Sequence, residues 1–465
     1  MFSKEIYTAR RNQLRSKIKS GIIIILGNSE SPMNYPANGF HFIQDSTFTY
    51  FFGLDHADYV GVIDVDADTD SIYGDDPSID DIIWMGDLPS LSEMASEVGV
   101  NSTAPSADLR DKIEVAIRLG RKIHFLPPYR AEHTLFYSSL LGISSDSISK
   151  YVSAELIRAV VSLREIKSSE EIKEIHKACN IGYKMHTTAM QMCKEGVTER
   201  EIAGAIEGVA LSYGRGVSFH NIVSQNGQTL HNHTHDNTLE KGRLLLVDAG
   251  VLSTSGYCSD FTRTMPVGGK FTPIQKDIYG VLTNAFESTF SQIKPGVLYK
   301  DVHLSTCKVI TEGLISMGLM KGDADSAVAA GAHALFMPHG LGHQMGMDVH
   351  DMEGLGETYV GYDDEVERST QFGLGNLRMG KRLKKGHVLT VEPGIYFIPA
   401  LLAKWEKEGI NRSFINYDKV REFLNFGGCR VEDDVVVTEN GMQVLGKKRV
   451  PYTATQIEEY MEKYM

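Results

Sequence analysis

Leu244-Leu-Leu-Val-Asp-Ala-Gly250, answered by Ser259-Asp-Phe-Thr-Arg-Thr264, decides how the second half of this chain is read. An aliphatic run built for a buried strand ends in an acid, Asp248. The pattern recurs at Val388-Leu-Thr-Val-Glu392 and at Cys429-Arg-Val-Glu432, which runs on into Val435-Val-Val. An ionised carboxylate inside a protein is so costly that it must be paired, protonated or bound to a cation. One such acid would be a strand end reaching water. With Asp260 there are four, and the few cations nearby cannot neutralise them all, whereas two divalent metal ions can.

The imidazole that would join them lies in His339-Gly-Leu-Gly-His343-Gln-Met-Gly, followed by Asp348-Val-His350-Asp351. This is not the helical HExxH zinc motif, because Gly340 and Gln344 stand where that motif needs glutamate. Nor do the spaced glycines make a dinucleotide fingerprint, since no helix start of the right spacing follows. Dispersed carboxylates with one imidazole suit manganese, iron, cobalt or zinc, and not calcium, which takes its ligands densely from one short segment. Such a pair of ions binds a water, lowers its pKa and presents hydroxide to a carbonyl, so hydrolysis is the expected chemistry.

Outward from that core, the 465 residues suit two domains. Residues 1–165 mix short apolar runs, Gly21–Gly27 and Tyr59–Val65, with acidic turns, as an α/β domain does. Residues 166–465 form the second. Ser168 with Glu171 predicts a helix start, as do Thr198 with Glu201 and Thr272-Pro273 with Gln275. A faint repeat at an offset of 100 residues joins Lys194, Gly196, Val197, Glu201 and Ile202 to Lys294, Gly296, Val297, Asp301 and Val302. It predicts a duplicated half, with Asp248 and Asp260 from one copy and Glu392 and Glu432 from the other.

Composition narrows the partners. The net charge of −13 has no Lys/Arg stripe, which argues against nucleic acid. Ile22–Leu26 is far too short to span a bilayer and reads as a buried strand. No membrane partner is expected and the cytoplasm is the expected location. Five scattered cysteines without a CxxC pair suggest buried free thiols, neither a disulfide framework nor a thiolate zinc site.

The residues quoted, with Leu163-Arg-Glu-Ile-Lys-Ser168, Val391-Glu-Pro-Gly-Ile-Tyr396 and Arg430-Val-Glu-Asp-Asp434, resemble the pita-bread metallopeptidases of the prolidase and aminopeptidase P group over residues 155 to 445. The resemblance implies an α/β N-terminal domain ahead of an α+β catalytic domain, a duplicated half whose curved antiparallel sheet is covered by helices. It implies cleavage of the bond preceding proline by a dinuclear-metal-activated hydroxide. Asp248 would chelate one ion, Asp260 and Glu432 would bridge two, and His343 with Glu392 would complete the second. Glu392 would also accept the proton, and His339 and His350 would contact substrate. His231 would line the proline side, with His233 and His235 as rivals, and Tyr396 and Arg430 would lie in the pocket. Manganese is the first expectation for the metal, with cobalt, zinc or iron as alternatives, and a homodimer is the expected assembly.

Two features bear on substrate. Twelve positions separate Asp248 from Asp260, one more than the family usually has, so a longer hairpin is expected. The segment Leu377-Arg378-Met-Gly-Lys-Arg-Leu383, with Asn425-Phe-Gly-Gly428, is similar to the prolidase version, which implies that Arg378 binds the free carboxylate of an Xaa-Pro dipeptide. Action on longer peptides, as aminopeptidase P, is the alternative. A metal-free peptide-binding module and a two-metal phosphoesterase are further ones. In the N-terminal domain, Trp84 is expected in a core or an interface.

Overall fold

The computed structural model describes residues 2–464. One compact unit comprises the chain up to Arg164 together with Gly354–Tyr359, and the other Glu165–Glu353 with the chain from Val360 onward.

In the first unit Ile22–Leu26 lies inside a five-stranded sheet, antiparallel to Val60–Asp64 and parallel to Ile123–His124. All five of its residues are buried, which explains a continuous aliphatic run in place of alternation. Thr69–Tyr73 and Thr103–Ala104 complete the sheet on the other side of Val60–Asp64. Of the two positions expected for Trp84, a core or an interface, the core is not the one it takes. Its helix, Ile79–Met85, is started by a Ser78/Asp81 capping box but buries none of its residues, and Trp84 is 84% exposed.

The second unit opens with Ser169–Met192 and Glu199–Tyr213, whose N-terminal caps are the Ser168/Glu171 and Thr198/Glu201 boxes read in the sequence. A second pair, Pro273–Phe290 and Tyr299–Ser316, follows a first set of strands. The repeat at an offset of 100 has a backbone counterpart. Gly196 N–H donates to Leu239 O at 3.0 Å and Gly296 N–H to Leu383 O at 2.9 Å, while Leu239 and Leu383 donate back to Val197 O and Val297 O, each at 2.8 Å. Both glycines turn at φ near +85° to +89°, which residues with a side chain rarely adopt.

Each half also supplies an antiparallel ladder whose strand ends carry the acids. Leu244–Ala249 pairs with Phe261–Pro266 and with Ile222–Ser224. Val388–Val391 pairs with Asp433–Val437. The halves are joined where Glu432 N–H donates to Thr262 O at 3.0 Å and Thr264 Oγ1 donates to Arg430 O at 3.0 Å. At that seam the wholly buried Arg263 guanidinium donates to Glu432 O (2.6 Å), Val450 O (3.0 Å), Pro451 O (3.0 Å) and Asp433 Oδ1 (2.5 Å). Asp433 is equally buried and takes a second arginine, Arg449 Nε, at 2.6 Å.

Replacing Arg263 with methionine keeps the bulk but leaves a carboxylate and several carbonyls short of donors. Breaking a buried pair in this way costs about 3–5 kcal/mol. Arg263→Met is therefore expected to lower the unfolding free energy of the second unit by that amount, read as a lower urea midpoint at an unchanged m value. A loss under about 1 kcal/mol would mean that the seam does not depend on this clamp.

Candidate metal centre

Asp248 is the penultimate residue of its strand, and Asp260 and Glu432 each stand immediately before one. The extra residue between Asp248 and Asp260 is taken up in a closed turn. Val251–Leu252 pairs with Gly216–Val217, Ser253 N–H donates to Tyr257 O at 2.9 Å, and Gly256 turns at φ +83°. His343 is laid beside Glu392 by backbone. Thr390 N–H donates to His343 O at 3.0 Å and Glu392 N–H to Leu341 O at 2.8 Å.

These elements bring the five expected ligands to one place. Donor atoms of Asp260, His343 and Glu432 lie within 4.8 Å of one another. His343 Nε2 is 3.3 Å from Asp260 Oδ2 and 3.6 Å from Glu392 Oε1. Asp248 completes the group, its charge acting on Asp260, Glu392 and Glu432.

The geometry itself tests whether a cation fits. His343 Nδ1 is 3.0 Å from the Gln344 carbonyl oxygen, which can only accept, so the ring proton sits on Nδ1. Nε2 then presents a lone pair to two carboxylates, an arrangement that a metal ion satisfies, or without one a proton taken up by a carboxyl. Two further acceptors, Asp248 Oδ1 and Asp260 Oδ1, are buried without a hydrogen-bond partner. Burial, and after it the charges of Asp248, Asp434 and Glu392, pushes the Asp260 carboxyl well above its ordinary value. Burial and then Asp260 and Glu392 do the same to Glu432, and burial raises Glu392. The opposing imidazole stays neutral, since burial lowers the His343 pKa. The donor set thus fits divalent ions.

Two hydroxyls and one guanidinium orient the expected ligands. Thr262 Oγ1 donates to Glu432 Oε2 at 2.7 Å and Thr390 Oγ1 to Glu392 Oε1 at 3.3 Å. Arg430, itself buried, donates to Asp248 Oδ2 at 2.5 Å, to Thr262 Oγ1 at 3.0 Å and to the Tyr396 hydroxyl at 2.8 Å. The Tyr396 hydroxyl in turn lies 3.0 Å from His339 Nε2, whose other nitrogen faces Gly340 O at 2.8 Å. His339 is a neutral imidazole, its pKa lowered by burial to about 3.

The remaining expected residues gather on a second side. His350 lies beside His343, ring centroids 4.0 Å apart and planes tilted by 52°, and its Nδ1 donates to Glu353. Arg378 also pairs with Glu353. The hydrogen bond from His350, then the charges of His350 and Arg378, hold the Glu353 carboxyl down at about 2, while burial lowers His350 to about 4. His231 is exposed, but Arg430, Asp248 and His350 all act on it. Of its rivals, His235 faces Asn221 O at 3.1 Å, whereas His233 lies beside both the His220 and the His231 rings, centroids 5.6 and 6.5 Å away.

Two acids of this centre were not singled out in the sequence. Asp434 Oδ2 accepts the Asp260 N–H at 2.9 Å, fixing the backbone beside that ligand, and lies two positions beyond Glu432 on the same strand face. Glu353 carried no signal beyond its closeness to His350, three residues before it.

Comparison with known proteins agrees with this geometry. Residues 173–439 match the model of metallopeptidase family M24, and residues 7–124 that of the aminopeptidase P N-terminal domain. The chain is 33% identical to the human protein named Xaa-Pro dipeptidase, covering 96% of this chain and 89% of that one. It is 31% identical to a probable Xaa-Pro aminopeptidase of Aspergillus fumigatus, over 86% of this chain and 84% of that one. Zinc-substituted Escherichia coli aminopeptidase P, solved in complex with product, superposes with a TM-score of 0.81 at 26% identity, covering 100% of this chain and 99% of that one.

The raised carboxyls have a consequence for the metal-free protein. A carboxyl whose folded pKa lies above its unfolded value contributes stability below the unfolded pKa, and that stability is lost as pH rises through the folded pKa. Chelator-treated protein is therefore expected to melt progressively lower as pH rises above the ordinary carboxylate range, and divalent metal to remove that deficit. Asp260→Asn takes away one charge, so it is expected to raise the melting temperature of the metal-free form at neutral pH while weakening the response to metal. A metal-free Asp260→Asn protein that melts no higher than metal-free wild type would contradict this electrostatic account.

Proposed function

Because the chain belongs to metallopeptidase family M24, we propose that it hydrolyses the peptide bond preceding proline, with Xaa-Pro dipeptides as its preferred substrates. The observation that carries this is the lone pair of His343 Nε2 held against the Asp260 and Glu392 carboxylates. Asp248, Asp260, His343, Glu392 and Glu432 hold two divalent ions, manganese first among the candidates. When bound, such ions lower the pKa of a water and polarise the scissile carbonyl.

The chain's own groups do the rest. Glu392 accepts the proton of the attacking water. His339, its ring fixed between Gly340 O and the Tyr396 hydroxyl, meets the substrate beside Glu392. His350 is turned by Glu353, so that Nε2 is the nitrogen left for substrate. His231 and Tyr396 line the proline side, and Arg430 ties Tyr396 to Asp248.

Arg378 takes the free carboxylate of the dipeptide. Its charge already acts on His343 and Glu392, which supports a place beside the metals. The guanidinium has five donors, enough to serve both Glu353 and a bidentate substrate carboxylate. The second reading, action on longer peptides, is favoured by the aminopeptidase P names among the similar proteins.

The chain is proposed to act as a homodimer in the cytoplasm. The exposed apolar row Ile79, Ile83, Trp84 and Met85 supports a covered face, and sedimentation tests it. No helix among the described residues is long and apolar enough to cross a membrane.

Manganese-loaded protein is expected to release proline from Xaa-Pro dipeptides faster than it cleaves Xaa-Pro-Yaa tripeptides. The reverse order would favour the second reading. Arg378→Ala is expected to lower kcat/KM for the dipeptide roughly ten- to a hundredfold, the worth of a charged hydrogen bond, with a smaller effect on tripeptides. Glu392→Gln is expected to lower kcat for both by at least about a hundredfold.

A further inference from the structure

Away from the carboxylate centre a second group of ligating side chains is buried in the same unit. His303 and Cys307 stand one turn apart on the helix Tyr299–Ser316, and so share a face. The helical turn Ala332–Leu335 brings His333 against them. The exposures are 0%, 0% and 1%, and ligand atoms of all three lie within 4.8 Å of one another.

The polar atoms of this cluster lack the partners that buried groups require. Neither ring nitrogen of His333 has a hydrogen-bond partner, although both are enclosed. An imidazole carries one N–H and one lone pair, so both functions go unmet at once. On the His303 ring the one polar neighbour given by the described residues is the Cys307 sulfur, 3.6 Å from Nε2 and 4.0 Å from Nδ1. A thiol is a weak partner for a buried imidazole. A cation bound to both would hold nitrogen and sulfur about 3.5 Å apart, given metal–nitrogen and metal–sulfur bonds of about 2.0 and 2.3 Å in a tetrahedral site.

We propose that His303, Cys307 and His333 form a third metal site, closed to solvent, for a borderline-soft or soft d10 cation, zinc(II) or copper(I). Two imidazoles and a thiolate are the donors that select such ions, whereas the carboxylates of the dinuclear centre suit harder ones. Binding replaces the Cys307 S–H bond by a sulfur–metal bond and releases that proton to solvent. Two neutral imidazoles and one thiolate carry a single negative charge. Copper(I) leaves the site neutral and zinc(II) leaves it with one positive charge. Burial lowers the pKa of His303 to about 3 and of His333 to about 4, so both rings offer lone pairs at neutral pH.

The site has a structural role. His333 O accepts the N–H groups of Phe336 and Met337, at 2.9 and 3.0 Å, at the head of the segment that runs through Pro338 to His339. Pinning His333 anchors that segment where it enters the carboxylate centre.

The proposal stands apart from the reading of the dinuclear centre, and metal counting separates them. Full-length protein, purified under reducing conditions and reloaded after chelation with manganese plus either zinc or copper(I), is expected to hold three ions per chain. Cys307→Ser and His333→Gln are each expected to hold two and to keep prolyl-peptide hydrolysis. Asp260→Asn combined with Glu432→Gln is expected to hold one. That double variant, with its carboxylate centre disabled, is titrated with zinc alone and with copper(I) against a chromophoric copper(I) chelator. The cation retained against the stronger competition is the occupant. Cobalt(II) is expected to give wild type a thiolate-to-metal charge-transfer band that Cys307→Ser lacks while its circular dichroism matches wild type and the Cys179→Ser and Cys429→Ser proteins keep the band. A count of two in wild type, none in the double variant and no cobalt–thiolate band would overturn the proposal. A double variant that still holds three ions would instead count against the dinuclear centre.

Discussion

Carboxylates of Asp248, Asp260, Glu392, Glu432 and Asp434 converge in a region where Arg430 is the cation in direct contact, on Asp248. Their mutual repulsion is the constraint around which the second unit is arranged. Without a cation the favoured response is to take up protons, and burial with like charge pushes Asp260, Glu432 and Asp434 in that direction. The fold has to hold these groups together against that tendency. It does so with backbone packed too closely for any side chain. A Cβ on Gly250 would come 1.8 Å from Ser259 O, and one on Gly342 would come 2.1 Å from Thr390 O. Both contacts sit one or two residues from a ligand.

The duplicated arrangement spreads the cost of assembling this charge. Each half contributes an acid near the end of one strand and another just before the strand that pairs with it: Asp248 with Asp260, Glu392 with Glu432. Neither pair is complete alone, and the seam between halves lies at Thr262 and Glu432. Arg263 meets both sides there, joining the Thr262 and Glu432 carbonyls to the Asp433 carboxylate. A cation placed behind the ligands, on carbonyls and on a carboxylate that does not face the metals, steadies the seam without competing for the metal site.

What the sequence made legible was local. Acids after aliphatic runs, capping boxes at fixed spacing and the paired glycine turns near 196 and 296 each announce themselves within a few residues. What it hid was decided by partners far along the chain. Asp434 matters because its carboxylate meets the backbone of Asp260, and Glu353 because it lies between His350 and Arg378. The basic run from Arg378 to Lys385 has the pattern of a solvated face. Arg382, Lys384 and Lys385 keep to that pattern, exposed beside Glu365, Glu165 and Glu439, whereas Lys381 is buried against Glu165. Trp84 left core and interface open, and the structure removes the core, since an apolar side chain on a short helix carries no mark of what packs on it. Cys307 reads as one of five unremarkable thiols until folding sets His303 and His333 beside it.

Arg430 shows why metal holding and substrate positioning are one problem in this centre. Its fork spends one nitrogen on Asp248, one on Thr262, which itself donates to Glu432, and one on the Tyr396 hydroxyl that meets His339. A lysine could supply the charge but only from a single point, and could not keep three partners at fixed angles. Any movement of Arg430 therefore shifts Asp248 and His339 together, the one a proposed metal ligand and the other a proposed substrate contact. Arg263, at the seam, can steady the ligands without touching substrate, because it spends its donors on main chain and on Asp433. The two arginines divide the work, one holding the ladders in register and the other coupling Asp248 and Glu432, proposed to hold metal, to Tyr396 and His339, proposed to meet the peptide.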